Sequence, residues 1–143
     1  MKRIIAYSVA RSDLYRYYPI LNKLNKSKKV ELRIVASHIH YMKTFGKTYR
    51  EFGKDFNIEK RKVINFLKDD ANSMTKKISE EIIFFSKILK KRKPDVVIVL
   101  GDRYEMLAPV TACIPHNIPV VHFFGGAITL GAIDELVRHS ITK

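Results

Sequence analysis

The chain has 143 residues, of which 46% are hydrophobic and 29% charged, and its formal net charge is +13. This length and composition fit one globular domain and exclude collagen-like and low-complexity classes. The single cysteine excludes an intramolecular disulfide scaffold and a four-cysteine zinc site. The longest aliphatic run, residues 96–100, is far shorter than the roughly 20 apolar residues of a membrane-spanning helix.

The positive charge is concentrated before Pro94. Residues 1–93 hold 24 basic and 9 acidic side chains, whereas residues 94–143 hold 3 basic and 5 acidic ones. Such an excess can attract nucleic acid or an anionic ligand, but it more commonly forms a solvated, lysine-rich surface. The basic run at residues 90–93 has no interleaved aromatic side chains, and the end of a helix explains it. We therefore expect neither a nucleic acid nor a membrane as partner.

An apolar run at residues 3–9 predicts a first strand that is buried on both faces. Arg11 and Asp13 follow it too early for a signal peptide, so we expect a cytoplasmic protein. Apolar side chains then recur at helical spacing over residues 14–24. Ser12 or Asp13 is the expected N-cap of that helix.

The middle of the chain continues this alternation of strands and helices. Residues 30–36 alternate in polarity and predict a second strand, and residues 37–57 predict a loop with a short helix. Residues 58–66 are candidates for a third strand. Residues 69–91 predict a long amphipathic helix, which has a cationic last turn and stops at Pro94.

The C-terminal third holds the clearest strand of the chain, at residues 95–100. A turn at residues 101–105, a helix to about residue 116 and a strand at residues 118–123 are expected to follow. The last helix should begin near residue 132 and still be running at Lys143, with no cap or stop signal. Strands that alternate with helices indicate a parallel sheet covered by helices on both faces. The uncapped last helix indicates a domain truncated at its C-terminus.

Charged side chains follow several of the predicted strands. In an open α/β sheet, ligands bind at the carboxyl ends of the strands. The turns expected there are residues 10–13, 101–105 and 124–127, and their charged residues are Arg11, Asp13, Asp102, Arg103 and Glu105. Asp102 can also be an ordinary turn-former or helix N-cap. Its place in a Gly-Asp-Arg sequence directly after five apolar residues favours a functional role.

The sequence lacks the patterns of the common phosphate and metal sites. The fingerprint Gly-x-Gly-x-x-Gly and the Walker loop are both absent, so we expect no dinucleotide cofactor. Gly125 and Gly126 permit either a close backbone approach to a ligand or a tight turn. His38 and His40 have no acidic or cysteine partner at a usual ligand spacing, so we expect no metal site.

Further candidates lie in the C-terminal third. Asp134 and Arg138 are four residues apart on one helix face, where a surface ion pair is the plainer interpretation. His139 lies next to Arg138. His122 is expected beside the crevice, and Cys113, among apolar helix residues, is expected in the core.

The turns and the last helix together resemble the hydrolysing UDP-N-acetylglucosamine 2-epimerases, which feed the pathways to sialic acid and related nonulosonic acids. No single segment is specific, but the order and spacing of the segments across the chain are. The matching segments are residues 10–13, 19–20, 37–38, 46–50, 93–103, 122, 125–126 and 131–143.

The resemblance implies a Rossmann-like N-terminal domain, residues 1–143, from a two-domain fold of the glycosyltransferase-B type. The second domain, which usually supplies most uridine and diphosphate contacts, would be missing, and the isolated chain would be inactive. The implied reaction eliminates UDP across C1–C2 of the sugar and then adds water, which gives N-acetylmannosamine. The family also implies a UDP-sugar as substrate and a homo-oligomer at full length.

The resemblance also implies roles for individual residues. Asp102 and Asp134 match acidic catalytic positions, and we expect Arg11 and Arg103 to hold Asp102 ionised. The substrate-binding candidates are Arg11, Ser12, Tyr15, Arg103, Arg138 and His139.

Two alternatives stay open at the level of sequence. The same chemistry on a diacetamido UDP-sugar, as in legionaminic acid synthesis, cannot be distinguished from these residues. The chain can also be a non-catalytic half of a split complex. Phe124 and Ala127 favour that alternative slightly, because the family often has an acidic residue in or beside its Gly-Gly loop.

Overall fold

Parallel strands form the centre of the fold. The computed structural model describes residues 1–52, 54–59, 61, 68 and 70–143. In these residues one four-stranded sheet has the order β2-β1-β3-β4. The strands are β1 (Lys2–Ser8), β2 (Val30–Ala36), β3 (Val96–Leu100) and β4 (Val120–Phe123). The α-helices are α1 (Arg11–Asn25), α2 (Tyr49–Phe52), α3 (Ala71–Arg92), α4 (Leu107–Cys113) and α5 (Ile133–Thr142).

The strand register confirms the predicted parallel sheet. β1 pairs with β2 along its whole length, from Lys2 opposite Val30 onward, and with β3 on its other side. β3 pairs in parallel with β4. Every strand therefore ends at the same edge of the sheet, where the residues after β1, β3 and β4 meet. The predicted strands at residues 3–9, 30–36, 95–100 and 118–123 are confirmed to within two residues.

Alternate side chains of the strands build a separate core on each face of the sheet. Ile5, Tyr7 and Val97 point to one face, where α3, α4 and α5 cover them. Ala6 and Ile98 point to the other face, which α1 and α2 cover. The prediction of helices on both faces is therefore confirmed.

The start of α1 differs from the prediction. The helix begins at Arg11, so residues 10–13 form its first turn, and the N-cap is Ala10 rather than Ser12 or Asp13. Asp13 is buried at the third helical position, and its carboxylate accepts from the backbone N–H groups of Val9 at 2.8 Å and Ala10 at 3.2 Å. Asp13, although it lies within the first turn of α1, thus accepts hydrogen bonds from the backbone N–H groups that precede the helix.

The long helix α3 begins two residues later and ends one residue later than predicted, and it stops before Pro94 as expected. Asp70 is its N-cap, and its Oδ1 accepts from the N–H of Ser73 at 2.8 Å. The last turn holds three basic residues, and Lys93 follows it in the left-handed conformation, one residue before Pro94. In the part of the chain that the structure describes, no helix combines the length and apolar character that crossing a bilayer requires.

The segment after β2 contains the predicted short helix, α2, together with two further helical turns. Two 3₁₀ turns, His38–Tyr41 and Lys43–Phe45, precede α2. Ile58 then forms an isolated parallel bridge with Ile34 of β2. The rest of the third strand predicted at residues 58–66 lies largely outside the described residues, so that strand stays a prediction.

A buried carboxylate ties α3 to the sheet. Glu81, 1% exposed, accepts from the Tyr7 hydroxyl at 3.1 Å and from Arg61 at 2.6 Å, and it lies 3.1 Å from Nδ1 of His38. Burial disfavours its charge, but the His38 and Arg61 contacts outweigh burial and lower the pKa of Glu81. The cluster joins the ends of β1 and β2 to α3.

His40 lies fully buried between two hydroxyl groups. Its Nε2 is 2.9 Å from the Ser8 hydroxyl and its Nδ1 is 2.7 Å from that of Thr48. Desolvation disfavours the charged ring and lowers the pKa of His40 to about 4. Because the unfolded chain keeps the ordinary value, it binds a proton first as the pH falls below about 6.5.

We therefore expect stability to fall with acidification. Between pH 7 and pH 5 the free energy of unfolding should drop by about 2 kcal/mol, with little further His40 contribution below pH 4. Urea unfolding of the wild type and of His40→Gln at both pH values measures this. The variant should lose most of the pH dependence, whereas the half-buried control His116→Gln should retain it. Equal slopes for wild type and His40→Gln would contradict the assignment.

Candidate active site

The turn after β3 is fastened to β4. Gly101 adopts a left-handed conformation, and its N–H donates to the Phe123 carbonyl at 2.9 Å. His122 of β4 lies with Nε2 2.7 Å from the Gly101 carbonyl. These contacts fix the position from which the next residue, Asp102, projects at the carboxyl edge.

Arg138 of α5 connects the segments of the site. Its side chain is 1% exposed, and each of its five N–H groups donates a hydrogen bond. Nε and Nη2 donate to Oδ2 of Asp102 at 3.2 and 3.0 Å, and Nη2 also donates to the Thr129 hydroxyl at 2.8 Å. Nη1 donates to Oε2 of Glu135 at 2.6 Å and to the Ala127 carbonyl.

These contacts correct two expectations about arginine. Arg138 forms its ion pairs with Glu135 and Asp102 rather than with Asp134, and it is buried rather than at the surface. The two arginines expected on Asp102 have other partners. Arg11 pairs with Glu51 at 3.3 Å, and Arg103 pairs with Glu105 at 3.3 Å. The long-range contact to Arg138, 36 residues away, has no local sequence signal.

Asp102 is not a helix cap. The short helical turn that follows, Tyr104–Met106, has Arg103 at its N-cap position. The Asp102 carboxylate, one-third exposed, instead accepts two hydrogen bonds from Arg138. One oxygen of the carboxyl group, Oδ2, is thus held while part of the group stays accessible, as an acid–base group requires.

Glu135 is a site residue that the sequence reasoning missed. Its Oε2 accepts from Arg138 and from the N–H of Thr129 at 2.7 Å, and its Oε1 lies 2.9 Å from Nε2 of His139. The Thr129 hydrogen bond, followed by the Arg138 contact, lowers the pKa of Glu135 to about 2. Its position three residues before Arg138 was a usable signal, because such residues share a helix face.

The remaining candidates lie around the same edge. Ser12 and Tyr15 are exposed on the first turns of α1, Asp134 is half-buried on α5, and His139 is exposed one turn later. These residues lie on α1, which directly follows β1, and on α5, which follows the loop after β4. Their roles in catalysis and binding stay predictions.

A cleft of about 450 Å³ lies beside this edge. Its lining includes His38, Lys68, Lys77, Arg103 and Glu105. The three cationic side chains give part of the wall a character that suits an anionic group.

Gly125 is required by close packing against His122. A Cβ built at Gly125 would lie 2.7 Å from Nδ1 of His122 and 3.2 Å from the Thr142 hydroxyl. A Cβ at Gly126 would meet nothing within 4 Å. The absence of a side chain at Gly125 therefore allows the backbone to pack closely against the His122 ring, rather than against a ligand.

Histidine and cysteine have internal roles in the described structure. His38 contacts Glu81, and His40 contacts two hydroxyls. Cys113 is buried, as predicted, and burial raises its pKa to about 12. Within residues 1–52, 54–59, 61, 68 and 70–143, no group of three His, Cys, Asp or Glu side chains is arranged to hold a metal ion.

Comparison with known proteins identifies the family. Residues 22–143 match the family described as UDP-N-acetylglucosamine 2-epimerase. A relative of 39% identity over 142 residues is the GDP/UDP-N,N'-diacetylbacillosamine 2-epimerase (hydrolyzing) of Campylobacter jejuni. The corresponding UDP-N,N'-diacetylbacillosamine enzyme of Legionella pneumophila is 36% identical over 144 residues. The chain belongs to the UDP-N-acetylglucosamine 2-epimerase family, as the resemblance of its segments predicts.

The aligned region includes nearly all of this chain but only part of each relative. The chain is covered to 99% and 100% by these two relatives, yet it spans only 37% and 38% of their lengths. The solved UDP-GlcNAc 2-epimerase of Neisseria meningitidis, bound to UDP-GlcNAc, is similar in structure over 99% of the chain, which corresponds to 38% of the Neisseria chain. The sequence identity is 20% and the TM-score is 0.77. The enzyme of Methanocaldococcus jannaschii, in complex with UDP-GlcNAc and UDP, gives 24% identity and a TM-score of 0.76. The parallel sheet with helices on both faces is thus a fold found in these epimerases.

The His122–Gly125 packing generates a matched pair of variants. Gly125→Ala should lower the free energy of unfolding by about 1–3 kcal/mol, because the new methyl group overlaps the imidazole. Gly126→Ala, whose methyl group meets open space, should change stability by less than about 0.5 kcal/mol. Thermal and urea unfolding of both variants measure the difference, and equal stabilities would contradict the close packing.

Proposed function

We propose that the chain is the N-terminal half of a hydrolysing UDP-sugar 2-epimerase, with the second half of the crevice supplied by sequence that this chain does not contain. The observation that carries the proposal is the partly exposed Asp102 carboxylate, held by buried Arg138 at the carboxyl edge of the sheet. Membership of the family and the spanning of 37–38% of its relatives' lengths support it.

The proposed reaction has two stages. A base takes the proton from C2 of the sugar while the C1–O bond breaks and UDP leaves with the bonding electrons, which gives a C1–C2 double bond. Water then adds across that bond, with its oxygen on C1 and a proton on C2, and releases the free C2 epimer. These steps need a carboxylate base and an acid or electrostatic partner for the leaving diphosphate.

Asp102 suits the base, because Arg138 orients it and one-third of its side chain is exposed at the carboxyl edge of the sheet. Asp134, half-buried on the first turn of α5, is the second proposed acid–base group. Contacts to the nucleotide are proposed for the polar side chains of α1, the β3 turn and α5. These are Arg11, Ser12, Tyr15, Arg103 and His139. For Arg138, the sixth residue expected to bind substrate, we propose instead that it holds Asp102, because its five N–H groups all donate within the protein.

A diacetamido UDP-sugar is the substrate that we propose. The Campylobacter and Legionella diacetylbacillosamine 2-epimerases are 39% and 36% identical to the chain, whereas the UDP-N-acetylglucosamine 2-epimerase of Neisseria meningitidis is 30% identical. This order favours the alternative sugar over UDP-N-acetylglucosamine. We further propose a cytoplasmic homo-oligomer that feeds nonulosonic acid synthesis.

The isolated chain should release no UDP, because half of the crevice is missing. Residues 1–143 joined to the unmatched portion of the Campylobacter jejuni relative should release UDP from UDP-N,N'-diacetylbacillosamine. Release from UDP-N-acetylglucosamine should be at least about tenfold slower, since an unfilled substituent site loses about that much. A coupled UDP-release assay on the joined protein, on each part alone and on the intact relative measures this.

Three results of that assay would count against the proposal. Turnover by residues 1–143 alone would contradict the missing half. Faster release from UDP-N-acetylglucosamine would overturn the proposed substrate. A folded joined protein without turnover on either sugar would favour a non-catalytic half of a split complex.

Asp102→Asn in the joined protein tests the base. Asn can still accept from Arg138, so melting temperature and KM should change little, whereas kcat should fall at least about a hundredfold. Asp55→Asn, which alters an exposed carboxylate at the Tyr18 hydroxyl, is the control and should keep full activity. A kcat loss below about threefold would remove Asp102 from the mechanism.

A further inference from the structure

Glu135 holds the side of Arg138 that faces away from Asp102. The Arg138 guanidinium is planar, and its Nε–Nη2 edge donates to Asp102 while Nη1 donates to Glu135. Because the group is rigid, fixing Nη1 also fixes the direction of the edge that meets Asp102. The Glu135 side chain is 21% exposed, so it is more enclosed than the Asp102 carboxylate at 33%.

Glu135 is itself anchored by the loop between β4 and α5. Its Oε2 accepts from the backbone N–H of Thr129 at 2.7 Å, and Arg138 donates to the Thr129 hydroxyl and the Ala127 carbonyl. One carboxylate therefore ties the loop, the helix and the arginine together. The anchor is backbone, so it does not depend on the protonation state of Asp102.

We propose that Glu135 is a positioning residue, which keeps Arg138 charge-compensated and aligned while Asp102 carries the substrate proton. This inference rests on the proposed function. When Asp102 accepts a proton its negative charge is lost, and Arg138, 1% exposed, would otherwise be a buried cation without a counter-charge. Glu135 retains its charge throughout and prevents Arg138 from leaving, so Asp102 recovers the same geometry after it gives the proton up.

A double-mutant cycle in the joined protein tests this role. Glu135→Gln keeps the shape of the side chain but removes the charge. It should lower kcat at least about tenfold, because Arg138 is no longer aligned on Asp102. KM should change less than about threefold, because the hydrogen bonds of Arg138 are all made within the protein rather than to substrate. In the Asp102→Asn background the same substitution should cost less than about twofold, because residues that act through one another are not additive. An equal fold loss in both backgrounds, or an unchanged kcat, overturns the inference.

Glu135→Ala removes both carboxylate oxygens of Glu135 from a helical position that tolerates alanine. The loss of kcat should be at least as large as in Glu135→Gln. The control is Glu31→Gln, which alters an exposed carboxylate on β2 that pairs with Arg33. It should leave kcat unchanged. A Glu135→Ala variant with wild-type kcat and KM overturns the inference.

A measurement without turnover separates this inference from the proposed function. In the 143-residue chain, solvent exchange of the Arg138 Nε proton, followed by NMR, should be at least about tenfold faster in Glu135→Gln than in wild type, because local opening exposes the donor. Glu31→Gln should leave it unchanged. Unaccelerated exchange overturns the role of Glu135 even where UDP release is normal. Absence of UDP release from the wild-type joined protein, by contrast, overturns the proposed function, whatever the exchange rate.

Discussion

The burial of the Arg138 guanidinium constrains the whole carboxyl edge. A cation that is 1% exposed is stable only when its charge is balanced and its N–H groups have acceptors. Its five N–H groups donate to four acceptor atoms, which come from the β3 turn, the loop after β4 and the first turn of α5. The geometry of Asp102 is therefore a product of three segments that are held together by one side chain.

The parallel sheet brings these three segments together, and packing at β4 sets the distances between them. Because β3 and β4 are neighbours and run in the same direction, the turn that bears Asp102 and the loop that bears Thr129 leave the sheet side by side. His122 bridges them: its ring contacts the Gly101 carbonyl and packs on Gly125. The sheet places the segments, and these short-range contacts set the distances between them.

The sequence predicted the sheet well because the strands are apolar and the turns are polar over short, contiguous stretches, as at residues 95–105. Helix starts were less accurate: Asp13 has the composition of an N-cap, yet its side chain reaches backward from one turn inside the helix. The sequence predicted which edge of the sheet carries the candidate site, but it did not predict which charged side chains form ion pairs there. The spacing of α5 favoured Asp134 as the partner of Arg138, whereas the side-chain direction selects Glu135, and the contact to Asp102 depends on tertiary structure alone.

The two arginines first expected on Asp102 differ in how readily they can meet a diphosphate. Arg103 pairs with Glu105, whose side chain is 1% exposed, and exchanging that partner would leave a buried carboxylate without its cation. Arg11 pairs with Glu51 at the surface, where both side chains are solvated and the attraction is weak. A phosphate can displace Glu51 without stranding a buried charge. For the function proposed here, Arg11 is therefore the better-placed phosphate ligand, and Arg103 is better suited to holding the buried Glu105 beside the cleft.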